Sequence, residues 1–163
     1  MGGMPQALGQ SPRATRDRAR AAHLRYEGRV PDASFSALLR RSLGALERER
    51  PDIAQRLAAA LAALAVTITV GDEQLGIRSD GTRVVVGEPA SAPQVRVSTG
   101  RATILALVDG AVSLVDAVLA DDMRLVGEVA DLARFHDALW LYLQGAVRAP
   151  SFPVLLCAFR DAS

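Results

Sequence analysis

The stretch Gln94–Val129, QVRVSTGRATILALVDGAVSLVDAVLADDMRLVGEV, decides the fold of this 163-residue chain. Its pattern predicts a strand, a helix that ends at Gly110, a second short helix capped by Ser113, and a strand that ends near Gly127. These elements are short and strongly apolar, and the residue types that usually perform catalysis are nearly absent from them. We therefore expect this segment to enclose something apolar rather than to carry reactive groups.

Two helices and three further strands are predicted before this stretch. Apolar residues spaced by three and four after Ser34 predict the first helix, and Pro51-Asp52 begins a second one that runs to about Leu64. From Val66 the period changes to two, which is typical of a half-buried strand. The five predicted strands cover Val66–Val70, Gln74–Arg78, Thr82–Val86, Val95–Ser98 and Met123–Val129.

Composition along the chain predicts three regions. Residues 1–32 hold many arginines and few large apolar side chains, which predicts a flexible basic N-terminal arm. Residues 33–149 form the folded domain, which ends in a long helix from Asp131 to about Val147. Residues 150–163 are too apolar for a solvated tail, so we expect them to pack on the domain or to form an interface.

The overall composition excludes several classes of protein. Half of the residues are hydrophobic, 23% are charged, and the formal net charge is +1, which gives no bias toward nucleic acid. Cys157 is the single cysteine, so an internal disulfide and a cysteine-based zinc cluster are excluded. No run reaches the about 18 apolar residues of a membrane span, and the N-terminus has no signal-peptide pattern. We expect a cytoplasmic protein.

The order of elements between about Ser34 and Val147 resembles the sterol carrier protein type 2 family. The family shows a strand, a helix that ends in glycine, a small helix, and a strand of the form Gly-Lys-Leu-Lys-Ile-Lys-Gly-Asp. Here these are VRVS (Val95–Ser98), ILALVDG (Ile104–Gly110), SLVDAVL (Ser113–Leu119) and DDMRLVGE (Asp121–Glu128).

Three residues match that pattern and two depart from it. Gly110, Gly127 and Glu128 stand where the family pattern has glycine, glycine and an acidic residue. Asp121 replaces the family's glycine before the last strand, and Asp122 replaces a basic residue. Both departures lie at the edge of a loop, so they change the charge of any portal there rather than the fold.

The resemblance implies an α+β fold, in which a five-stranded mixed or antiparallel sheet is covered by helices on one face and encloses an apolar tunnel. It also implies non-covalent binding and carriage of a lipid, sterol or other apolar molecule, without a catalytic residue, a cofactor or a metal. A surplus of apolar side chains supports such a pocket. The side chains that we expect to line it are Ile104, Leu107, Val115, Leu119, Met123, Leu125, Phe135, Leu139 and Leu143.

Other classes of function stay open on the sequence alone. An enzyme or accessory factor acting on an apolar metabolite in the same cavity would use Tyr142, His136 and Asp116 as converging polar groups. A structural protein would instead form a homo-oligomer through the C-terminal helix and tail. A transient membrane contact through arginines is a further hypothesis, whereas no specific nucleic-acid partner is expected.

Several other chemically active residues have simpler interpretations. Asp116, Asp121 and Asp122 predict an acidic cap more readily than a cation site. Cys157 has apolar neighbours in sequence, so we expect a buried thiol. Trp140 suits a tunnel mouth, an interface or the core, since it combines an apolar body with a polar tip.

Overall fold

The computed structural model describes residues 34–161, so the arm predicted over residues 1–32 lies outside the described residues. The helices are α1 (Phe35–Glu49), α2 (Pro51–Ala60), α3 (Arg101–Val108), α4 (Leu114–Leu119), α5 (Val129–Arg148) and α6 (Phe152–Asp161). The strands are β1 (Val66–Val70), β2 (Glu73–Ser79), β3 (Val84–Gly87), β4 (Val95–Thr99) and β5 (Met123–Gly127). None of these six helices has the length and apolarity needed to span a membrane.

The five strands form one mixed sheet in the order β3-β2-β1-β4-β5. β1 pairs in parallel with β4, and every other neighbouring pair is antiparallel. Val66 and Ile68 of β1 lie beside Val95 and Val97 of β4, and all four side chains are buried on the face that the helices cover. The predicted α+β fold with a five-stranded mixed sheet is therefore confirmed.

The connection from β3 to β4 crosses the opposite face of the sheet, because β3 is an edge strand and β4 lies beyond β1. Glu88 and Pro89 pass directly over Gly76 of β2. A Cβ atom at Gly76 would overlap the carbonyl oxygen of Glu88 and lie 2.9 Å from its carbonyl carbon. Thr67, the cross-strand partner of Gly76, is only 5% exposed on this face. Gly76 is therefore required by a close approach of two backbone segments.

Hydrogen bonds fix the start of α1 to the sheet. Ser34 acts as the N-cap, since its Oγ accepts the backbone N–H of Ala37 at 3.1 Å. The carboxylate of Glu73 in β2 accepts the backbone N–H groups of Phe35 and Ser36, at 2.8 Å each. Negative charge is favourable at a helix N-terminus, so this contact ties the first turn of α1 to β2.

α5 packs directly on α1 and α2. Gly145 makes this possible, because a Cβ atom at that position would lie 2.5 Å from Leu46 of α1 and 2.8 Å from Ile53 of α2. Both contacting side chains are buried. The three helices are thus tightly packed where they cross.

The C-terminal residues form α6, which packs on the domain through Phe152 and Phe159, both buried. The ring centroids of Phe159 and Phe35 lie 6.3 Å apart. The N–H and hydroxyl groups of Ser151 donate to the carboxylate of Glu49, and these hydrogen bonds lower the pKa of that carboxyl. Both ends of α1 are therefore tied to distant parts of the chain.

Cys157 is exposed, so the prediction of a buried thiol is wrong. Phe152 and Phe159 lie two turns apart and define the buried face of α6. Cys157 follows Phe152 by five residues, which turns it about 140° away from that face in a helix of 3.6 residues per turn. The apolar neighbours of Cys157 in sequence thus say little about its own position.

β3 begins at Val84, two residues later than predicted, because Asp80 extends the preceding turn. One carboxylate oxygen of Asp80 accepts the N–H groups of Thr82 and Arg83, both at 2.8 Å, and the Thr82 hydroxyl at 2.6 Å. These donors lower the pKa of Asp80 to about 2. Residues 82 and 83 are therefore held in the turn and do not join the strand.

The loops around β5 also differ from the prediction. β5 ends at Gly127 and α5 begins at Val129, two residues earlier than the predicted cap at Asp131. Before β5, Asp121 has φ of +61°, in the left-handed region that glycine adopts without strain and aspartate tolerates. The chain thus keeps the turn for which the family pattern has glycine.

Gly76→Ala is expected to lower the free energy of unfolding by about 1–3 kcal/mol, because its methyl group would push the Glu88 carbonyl away from the sheet. Gly87→Ala is the matched control, since Gly87 is the cross-strand partner of Gly76 and has open space at its Cβ position. Urea unfolding followed by circular dichroism measures both variants. Equal losses of stability in the two would contradict the crossing of the connection over Gly76.

Candidate functional site

A cavity of about 540 Å³ lies between the inner face of the sheet and the helices. Every helix and every strand of the described domain contributes at least one side chain to its wall. Nearly all of these side chains are aliphatic or aromatic, and the polar ones are Thr99, Ser113, His136 and Tyr142. Apolar pockets of about 300–1,000 Å³ with few polar groups are typical sites for small ligands.

α3 forms one wall of this cavity. Its sequence, RATILALV, is strongly apolar, yet its residues are at most half-buried. Ile104, Leu107 and Val108 line the cavity instead. A helix of a globular domain normally buries its apolar side against its neighbours, so the space beneath α3 lacks the atoms that would pack it.

The structure brings most of the predicted lining residues together. Ile104, Leu107, Val115, Met123, Phe135, Leu139 and Leu143 all line the cavity. Whether these side chains bind a ligand stays a prediction. Leu125 is half-buried against the core and is not part of the wall, and Leu119 is 80% exposed. The placement of Leu125 and Leu119 in the wall is therefore wrong.

The error at Leu119 comes from the shortness of α4. This six-residue helix buries one position, Ala117, which is fully inaccessible. Leu119 follows two residues later, about 200° around the helix, and so points to solvent. The size of Leu119 suggested that it points inward, but the smaller Ala117 occupies the inward position.

The opposite wall, which the sequence pattern did not predict, belongs to α1, α2 and the residue after α2. Its lining side chains are Phe35, Leu38, Leu39, Leu43, Leu57 and Leu61. Their helical spacing was recognised, but the same spacing predicts ordinary core packing equally well. Inner-face strand residues such as Ile68 and Val97 were missed for the same reason.

Five exposed lining residues mark the mouth of the cavity. Gly110, Ser113 and Val115 contribute from the end of α3 to α4, and His136 and Trp140 contribute from α5. Val115 is 63% exposed and Trp140 is 58% exposed despite their apolar bulk. Of the three positions that the sequence left open for Trp140, its exposure excludes the core.

Of the three polar residues considered for catalysis, His136 and Tyr142 line the cavity and Asp116 does not. His136 lies at the mouth with Nδ1 3.4 Å from a carboxylate oxygen of Asp137. Asp116 is not a lining residue, and its carboxylate accepts the hydroxyl of Ser113 at 2.6 Å. Within residues 34–161, no group of three or more His, Cys, Asp or Glu side chains is placed to hold a metal ion.

Tyr142 links the cavity wall to α1. Its hydroxyl lies 2.7 Å from Ser42 Oγ, and Ser42 donates to the carbonyl of Leu39 at 3.0 Å. Because a serine hydroxyl has one proton, Tyr142 must be the donor in the first of these bonds. Burial raises the pKa of Tyr142 to about 12, so the phenol keeps its proton at neutral pH.

Tyr142→Phe is expected to lower the free energy of unfolding by about 0.5–1.5 kcal/mol, through the loss of one hydrogen bond. In the unsubstituted protein, stability should also fall between pH of about 10 and 12. The unfolded phenol ionises near pH 10 in that window, while the folded one keeps its proton. The variant should lose less stability over this range. Urea unfolding at stepped pH measures both effects, and identical alkaline losses would contradict the buried donor.

The similarity of this chain to known proteins lies in its structure rather than in its sequence. No protein-family model matches the sequence, and no curated protein matches it. The ubiquinone synthesis protein UbiJ-SCP2 aligns with a TM-score of 0.50 at 16% identity, over 63% of this chain and 84% of that chain. Sterol carrier protein 2 from Yarrowia lipolytica, in its apo form, gives 0.49 at 14% identity, over 72% and 95% of the two chains.

A stereoselective inverting sec-alkylsulfatase from a Pseudomonas species also aligns, with a TM-score of 0.43 at 15% identity over 52% of this chain. This chain spans 14% of that enzyme's length. The alignment to UbiJ-SCP2, at a TM-score of 0.50, concerns the fold alone. The chain therefore has a sterol carrier protein 2-like fold, as the resemblance in its sequence predicted.

Proposed function

We propose that this chain binds a lipid, a sterol or another apolar small molecule in its cavity, without covalent chemistry, and carries it. The observation that carries the proposal is the cavity of about 540 Å³, with apolar walls, beneath a helix whose apolar residues are only half-buried. An apolar guest would supply the packing contacts that α3 lacks. In this proposal the cavity is a tunnel, and the ligand enters it at Val115 and Trp140.

The energetics of an unfilled apolar cavity support this function. Side chains that face a void lose the dispersion contacts that close packing would provide. A molecule that binds the folded state alone stabilises it by an amount that grows with the logarithm of its concentration over its dissociation constant. Binding of an apolar guest should therefore raise the melting temperature.

The names of structurally similar proteins support the same class of ligand. Sterol carrier protein 2 and a ubiquinone synthesis protein are both described by names that refer to apolar molecules. That similarity concerns the fold, and the transfer of a ligand class from it is our proposal. We also propose that the protein is cytoplasmic. We further propose that arginine side chains make a transient contact with a membrane, where the ligand is exchanged.

A second candidate, a homo-oligomer built through the C-terminal helices, is favoured by one observation. Val147 of α5 is 61% exposed and Val154 of α6 is 73% exposed. The two helices contact each other, and apolar side chains that are exposed on adjacent helices can mark an interface. Sedimentation velocity of the full chain tests this candidate, and a monomer at all concentrations would rule it out.

Filling the cavity with larger side chains should weaken the binding of an apolar probe. The double variant Leu107→Trp/Leu139→Trp adds bulk on two walls and is expected to weaken binding of the neutral fluorophore 1-aminoanthracene at least about tenfold, or about 1.4 kcal/mol. It should also raise the melting temperature of the ligand-free protein. Fluorescence titration and thermal unfolding measure the two effects.

The matched control is Leu119→Trp/Val147→Trp, because both of these positions are exposed and lie outside the cavity wall. It should bind the fluorophore as the unsubstituted protein does. Full binding by the filled variant, or an equal loss in the control, would contradict the cavity as the binding site.

A further inference from the structure

We propose that the cavity selects neutral apolar ligands, such as long-chain alcohols, and excludes anionic amphiphiles such as fatty-acid carboxylates. This inference rests on the proposed function and narrows its ligand class. It is carried by three features: the absence of charged side chains from the described wall, the hydrogen bonds of the wall hydroxyls, and the acidic residues beside the mouth.

The wall offers no counter-charge to an anion. Among the lining residues that belong to the described part of the chain, none is Lys, Arg, Asp or Glu. A carboxylate that enters apolar surroundings without a cation or hydrogen-bond donors pays a large desolvation penalty. An ionised head group therefore cannot accompany its chain into the cavity, whereas a hydroxyl group can enter at a smaller cost.

The wall hydroxyls have already donated their protons. Tyr142 donates to Ser42, as derived above from the bond of Ser42 to Leu39. Thr99 Oγ1 donates to the carbonyl of Asp122 at 3.1 Å, and the Ser113 hydroxyl donates to the carboxylate of Asp116 at 2.6 Å.

These three hydroxyls can thus offer lone pairs to a ligand, but not protons. A carboxylate is an acceptor only, so it finds no hydroxyl donor along this wall. An alcohol carries a proton that an unused lone pair of the wall can accept. Hydrogen bonding and charge therefore favour the same ligand.

Acidic residues beside the mouth of the cavity also favour a neutral ligand over an anion. Asp109, Asp116 and Asp137 are each the immediate chain neighbour of a mouth residue, namely Gly110, Val115 and His136. Of the three carboxylates, Asp109 is paired with Arg160, whose guanidinium lies 2.6 and 2.7 Å from its two oxygens. The Asp116 carboxylate accepts the Ser113 hydroxyl, and the Asp137 carboxylate lies 3.4 Å from His136 Nδ1. Both are carboxylates beside the mouth, so an anionic head group that stayed there would meet like charge.

The volume sets the size of ligand to test. At about 30 Å³ for a group the size of a water molecule, a cavity of about 540 Å³ holds about 18 such groups. A dodecyl chain with a small head group fits within that volume. Dodecan-1-ol, methyl dodecanoate and dodecanoate then form a matched series that differs in the head group alone.

The experiment is competitive displacement of 1-aminoanthracene from the full chain at neutral pH by each of the three ligands, below the concentrations at which they aggregate. The concentration of dodecanoate that displaces half of the fluorophore is expected to be at least about tenfold higher than that of dodecan-1-ol. The value for the uncharged ester should lie between the two. Dodecanoate binding as tightly as the alcohol would overturn the inference and leave the proposed function intact. No displacement by any of the three would overturn both.

A cation at the mouth should reverse part of the selectivity. His136→Arg adds a permanent positive charge and new donors at a lining position, and it is expected to raise the ratio of dodecanoate to dodecan-1-ol affinity about tenfold. Ala130→Arg is the matched control, because Ala130 is an exposed residue of α5 outside the wall. An unchanged ratio in His136→Arg, or an equal change in the control, would overturn the electrostatic account.

Discussion

The parallel pairing of β1 with β4 is the constraint on which the rest of the structure depends. It places the segment that begins at Val95 beside the first strand rather than beside the third, so the β3–β4 connection must cross the sheet. That crossing occupies the face opposite the helices at Gly76. The helices are then confined to the other face, where α1 and α2 contact β2 and β3 while α4 and α5 contact β5.

The cavity is a consequence of this division. α1, α2 and α5 pack closely at Gly145, while α3 connects β4 to α4 without burying a residue. Apolar side chains on all sides face a space that they do not fill. The hydroxyl groups in the wall have each donated a proton to a neighbouring acceptor. A wall of this kind is matched to a neutral guest, and the same hydrogen bonds that stabilise the fold set its preference.

Local patterns predicted the elements better than their arrangement. The change of period at Val66 and the glycine at position 110 follow from backbone geometry, and the corresponding strand and helix end are present. Parallel pairing joins residues about 30 positions apart, so no local pattern indicates it. The resemblance to a known family left open whether the sheet is mixed or antiparallel. Turn hydrogen bonds such as those of Asp80 moved the ends of elements, because a side-chain acceptor competes with strand pairing.

The residues of the cavity wall were only partly predictable. Apolar spacing predicts which side of a helix is buried, but not whether that side faces other side chains or a cavity. Seven predicted residues line the cavity, yet the apolar face of α1 was not predicted to line it. The predictions for Leu119 and Cys157 were wrong for a geometric reason. Leu119 lies on the opposite side of α4 from the buried Ala117, and Cys157 lies on the opposite side of α6 from the buried Phe159. Apolar neighbours in sequence do not determine which way a side chain points.

Native mass spectrometry of the freshly purified full chain, followed by extraction into organic solvent, tests the central claim most directly. The account predicts one bound molecule per chain that is apolar and carries no ionised group. A chain that carries no such molecule and takes up none when dodecan-1-ol is supplied would contradict it, as would a bound fatty acid or other anionic lipid.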